Sequence, residues 1–136
     1  MGSMVQFSHT CIFYLILCGV PSQTNTTQMT TYLYVIHCLD DQSCGMTQGA
    51  FGDTRFGGSI KRIGAYAEHK AWQGETSNPE SPNFIKKICA GPMESEDGKY
   101  MIGSCFIVEA TRVQAEAFIA NDPFKAAGVW EQVSIN

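Results

Sequence analysis

The 136-residue chain has the length of one domain with a single core, and its 44% hydrophobic and 16% charged residues fit a globular protein that leans apolar. A net charge of −4, with no basic run longer than Lys86-Lys87, leaves no electrostatic footprint for nucleic acid. The charge is also uneven, since every Lys, Arg, Asp and Glu lies at Asp40 or later.

Residues 1–29 read as an extension ahead of a domain spanning 30–136. Met1 to Met4 (MGSM) reads as a tag remnant. Cys11 to Val20 is an apolar block too short to span a bilayer, so no stable membrane insertion is expected. It has the length of a signal-peptide core, but no Lys or Arg precedes it and no small-x-small cleavage site follows. The expectation is a cytoplasmic protein. The alternative is secretion, with residues 4–20 as a signal peptide and Asn25-Thr26-Thr27 as a glycosylation sequon. Of the six cysteines, two lie in the apolar leader, and Cys38 and Cys105 sit in strand-like runs. No C-x-x-C and no Cys/His pair at zinc-site spacing occurs, so reduced thiols and no metal are expected.

From Tyr32 to Cys38 a β-branched and aromatic run, bounded by Asp40-Asp41, predicts the first strand. Asp41 to Gly58 is a long Gly-rich loop, a candidate lid. Ser59 to Gln73 predicts a helix. Ile60, Ile63, Ala67 and Ala71 form its expected core stripe, and Tyr66, His69 and Gln73 an adjacent one. Gly74 to Asn83, with two prolines, is a loop. Phe84 to Ala90 predicts a second strand closed by a Gly91-Pro92 turn, and Asp97-Gly98 a hairpin into a third, Tyr100 to Ala110. Thr111 and Gln114 form a capping box for a second helix, with Val113, Ala117 and Ala120 on one face and Phe118 beside it. Asn121-Asp122-Pro123 stops that helix, and Val129 to Ile135 is the last strand.

The order βαββαβ is an α+β, ferredoxin-like arrangement. Two helices cover one face of a four-stranded sheet, yet these strands are apolar on both faces. The other face is therefore expected to meet a second subunit in a homodimer.

Ala90-Gly91-Pro92, Asp97-Gly98, Gly103-Ser104, the helix through Ala115 to Phe118, Asp122-Pro123-Phe124 and Ala127-Gly128-Val129 succeed one another as in the YCII-related (YciI-like) family. The chain resembles that family from about Tyr32 to Ile135, most closely from Ala90 on. The resemblance implies a dimeric α+β barrel, and it implies that His69, on the first helix, works with Asp122 of the Asp-Pro turn. Two departures stand out: Tyr66 occupies a position where the family often has an Arg, and the 41–58 and 74–83 loops are long.

Two readings of the pair stand side by side. An imidazole oriented by a carboxylate can take a proton from a carbon or oxygen acid. Alternatively, His69 is a solvated helix residue and Asp122 a turn former. Ser104 can donate a hydrogen bond to a substrate or be a small strand residue. Tyr66 and Trp72 are candidates for the pocket wall or for the core, and His37 reads as a satisfied strand histidine. The resemblance implies a small cofactor-independent lyase or isomerase acting on a cyclic, enolisable or halogenated small molecule. The alternative is a non-catalytic dimeric ligand-binding or accessory module. A concave cleft holding a perturbed His69 favours the enzyme; a filled interior with His69 pointing to solvent favours the module.

Overall fold

The computed structural model describes residues 29–49 and 57–136. The apolar leader, the sequon and the middle of the Gly-rich loop lie outside the described residues. Six strands and three helices follow in the order β1 (Tyr32–Asp40), β2 (Met46–Thr47), β3 (Gly57–Ser59), α1 (Ile60–Glu75), β4 (Lys86–Glu94), β5 (Tyr100–Ala110), α2 (Arg112–Ala120), α3 (Pro123–Ala126) and β6 (Trp130–Ile135). The long strands form an antiparallel ladder with β1 between β6 and β5, and β4 on the far side of β5. That is the expected βαββαβ arrangement. β2 and β3 add a short pair inside the Gly-rich loop, with β3 running parallel to the start of β5.

Register separates the two faces of the sheet. Ile36 lies opposite Phe106 and Cys38 opposite Ser104, and this face, with Val108, Ala110 and Trp130, is buried beneath the helices. The intervening residues Leu33, Val35, His37, Cys105 and Ile107 point the other way. On that open face Leu33 is 63% and Val35 45% exposed. His37 is exposed there as well, so it is not the satisfied strand histidine expected from the sequence.

Local chemistry starts the helices where the sequence predicts. Ser59 caps α1 by accepting from the Arg62 amide, at 3.1 Å. Thr111 and Gln114 exchange both bonds of the capping box at the start of α2. Which side of each helix turns inward is a different matter. Ile60, Ala67 and Ala71 are exposed, and α1 instead buries Arg62 and His69, with Tyr66, Trp72 and Gln73 partly covered. The apolar stripe loses because Arg62 and His69 find carboxylates on other elements, which makes their burial affordable. In α2 the inward residues are Ala115, Phe118 and Ile119, while Val113 is 70% exposed. Here the cap orients the helix so that Phe118 meets Phe106 edge-to-face, with ring centroids 5.2 Å apart.

Gly91-Pro92 does not turn the chain. Both residues pair within β4, opposite Cys105 and Ser104. Among the described residues β4 has only β5 as a neighbour, and an edge strand tolerates a residue without an N–H.

Candidate active site

A buried ion pair and a buried histidine–carboxylate hydrogen bond hang from α1, two turns apart. Arg62 is 2% exposed and forks onto Asp40 at the end of β1, its Nε 2.6 Å from Oδ2 and a terminal nitrogen 2.9 Å from Oδ1. The same terminal nitrogen donates to Ser104 Oγ on β5 at 3.0 Å. Two turns later His69 Nδ1 lies 2.8 Å from Asp122 Oδ1 and 3.0 Å from Oδ2. Asp122 is fully buried, and its carboxylate also accepts from Gln73 Nε2 and from the Phe124 amide, both at 2.9 Å. The last bond caps α3, whose first residue is Pro123. A turn former and a histidine partner are thus the same carboxylate.

Phe124 holds the imidazole in place. Its ring stacks on His69 with centroids 3.7 Å apart and planes within 2°, and Trp130 meets His69 edge-on at 6.1 Å. The Arg62 guanidinium also packs on Phe124, 4.7 Å from the ring centre. With Nδ1 on Asp122, the favoured tautomer carries its proton there and leaves the Nε2 lone pair free.

His69 forms part of the wall of a cavity of about 290 Å³ between α1 and the β4–β5 edge. Tyr66 and Ser104 line it with His69, as do Arg62, Gln73 and Lys87. Because Ser104 Oγ accepts from Arg62, its own hydroxyl proton is available to the cavity. Phe106, Met101, Pro92 and Ala90 supply apolar surface. Trp72 is not brought here. Its indole N–H donates to the Phe118 carbonyl at 3.2 Å, and it faces a smaller cleft beside α2.

Arg62 and Lys87 escaped the sequence reading. Arg62 had a signal, since 62, 66, 69 and 73 continue one helical stripe. It places a guanidinium one turn before Tyr66. Lys87 had one too: Ile85 is buried, and strand alternation turns Lys87 to the same side while Lys86 pairs with Glu109 on the other. Lys87 Nζ donates to the Gln73 carbonyl at 2.8 Å, Thr76 Oγ1 at 2.7 Å and Ser77 Oγ at 3.0 Å. Burial pulls its ammonium down to about 8, a shift that the Asp122 charge opposes. Cys38, beneath the helices, is the reverse case. Burial first, then the Asp122 and Asp40 charges, push its thiol up to about 12, which makes it inert as a nucleophile. Among the described residues no three His, Cys, Asp or Glu side chains converge as a metal set.

A family model described as the YCII-related domain matches residues 49–136. Among solved structures, the chain is similar to 5-chloro-2-hydroxyhydroquinone dehydrochlorinase (TftG) from Burkholderia phenoliruptrix AC1100, in complex with 2,5-dihydroxybenzoquinone. The TM-score is 0.52 at 25% identity, over 77% of this chain and 91% of that one. No curated protein matches the chain.

Proposed function

The chain belongs to the YCII-related family, and from that premise we propose that it is a small cofactor-independent lyase or isomerase in which His69 is the general base and Asp122 its orienting partner. The observation that carries this reading is the buried His69–Asp122 pair on the wall of a cavity. The dehydrochlorinase named above, a lyase of similar fold, supports it.

In the proposed step, Nε2 takes a proton from a carbon or oxygen acid of a cyclic, enolisable substrate. The electron pair left behind forms a new double bond, and halide leaves with its own bonding pair; in a dehydration the departing hydroxyl takes the proton back from the imidazolium and leaves as water. In an isomerase the proton returns to another carbon instead. Asp122 stabilises the imidazolium that forms, and the Ser104 hydroxyl, with Arg62 behind it, can donate to the developing oxyanion. Tyr66 completes the wall on the α1 side. The exposed sheet face is proposed to join two copies as a homodimer, and residues 1–29 to be an extension outside the 30–136 domain. Among the described residues, no helix is long and apolar enough to cross a membrane.

The test is a turnover screen of halogenated quinols, lactones and enolisable cyclic ketones with wild type, His69→Ala and Asp122→Asn. His69→Ala should lose roughly 10²- to 10⁴-fold in rate, the usual effect of removing a general base. Asp122→Asn keeps the cap on α3 and should stay folded with a smaller loss. Equal rates for wild type and His69→Ala on every active compound would return the case to the ligand-binding module. Because His69 is buried against Phe124, its removal should also cost about 1–3 kcal/mol of stability, seen in urea unfolding.

A further inference from the structure

The cavity has a sign. Its cationic lining residues are Arg62, Lys70 and Lys87, and among the described residues no Asp or Glu lines it. Asp40 and Asp122 stand behind the wall, each already bound to Arg62 or His69. Among the described residues Lys70 and Lys87 have no carboxylate within salt-bridge distance, whereas Lys61, Lys86 and Lys99 each have one. Lys87 reaches only neutral oxygens, and it is half-buried beside the Phe118 ring, 5.3 Å from its centre. An ammonium drawn out of water with no carboxylate within salt-bridge distance raises the energy of the empty site, and an anion in contact with it relieves that cost. The ring of Phe106 and the Ala90–Gly91–Pro92 segment of β4 line the same cavity, and a volume of about 290 Å³ suits a single ring.

Resting on the active-site reading of this cavity, we propose that its ligand is a planar ring compound bearing an oxyanion. The charged oxygen sits at Lys87, with Lys70 at the mouth, and the ring lies between Phe106 and α1. That pose turns the ring's edge toward His69 Nε2 and the Ser104 hydroxyl. A carboxylate and a phenolate or enolate share this chemistry.

Calorimetry with four probes decides the matter: benzoate against its neutral isostere benzamide, and 4-nitrophenolate against 4-nitroanisole. In wild type at least one anion should bind about tenfold or more tighter than its neutral partner, as expected for one charge-assisted hydrogen bond. The preferred anion tells a carboxylate site from a phenolate site. Lys87→Met should remove the preference without weakening the neutral probes, and Lys87→Arg should restore it. Wild type binding neither anion more tightly than its neutral partner overturns the proposal, including the case in which nothing binds. So does a folded Lys87→Met that keeps the preference. If Lys87→Met does not fold, the wild-type comparison and its loss at high salt still decide. Failure here is separable from failure of the enzyme reading. An anion preference in a protein whose turnover ignores His69 keeps this proposal and removes the base. His69-dependent turnover with no anion preference does the opposite.

Discussion

Lys86 and Lys87 are adjacent in sequence and opposite in fate. Lys86 meets Glu109 at 2.6 Å in solvent, while Lys87 is turned beneath α1 with no carboxylate among the described residues. Burial holds its ammonium near 8, below the usual 10.5, so between those values the unfolded chain binds more protons than the folded one. Stability contributed by this site therefore rises with pH across that window, and below it the charged lysine is a burden. Urea unfolding of wild type and Lys87→Met at about pH 7 and about pH 10 should show wild type gaining on the variant at the higher pH. A constant difference between the two proteins would mean that Lys87 titrates normally.

At the level of elements, one close approach sits where β5 passes β1. A Cβ on Gly103 would collide with the Cys38 carbonyl and with the Met93 methyl. The methyl can move, but the carbonyl belongs to the β1 backbone. Ser104, next in line, carries the hydroxyl that Arg62 holds in the cavity wall. Gly103→Ala should therefore cost about 1–3 kcal/mol, as overpacking usually does, and should disturb Ser104 as well. Thermal melting and any turnover assay should fall together. An unchanged melt would show that β1 and β5 can separate there freely. The elements also explain why the helix faces were misjudged from apolar spacing. In α1 the residues that win burial are Arg62 and His69, and their partners lie at positions 40 and 122. No pattern within sixteen residues can register a partner on another element.

For the whole molecule, the open sheet face is the unfinished part. Leu33, Val35 and Ile107 stand on it, and among the described residues the helices cover only the other side. Light scattering at micromolar concentration should return about twice 14.9 kDa, and Leu33→Glu should shift the mass toward one chain. A wild-type monomer would leave this face without the partner assigned to it. The ladder and its helices run from Tyr32 to Ile135, so a chain beginning at Met29 should keep a cooperative melt. Loss of that melt would bring residues 1–28 into the fold.

The sequence by itself determined the order of the long strands and of the two longer helices, because strand alternation, the Ser59 and Thr111 caps and the Asp122-Pro123 stop are local signals read within a few residues. It also pointed to His69 and Asp122 through a succession of motifs. Tertiary structure alone decided that β4 continues through Gly91-Pro92, because only the sheet order makes it an edge. It likewise decided that Trp72 serves α2 while Arg62 and Lys87 serve the cavity. The physical reason is the same in each case. Burying a polar group is settled by the partner it finds, and those partners are 22 and 53 residues away in the chain for Arg62 and His69.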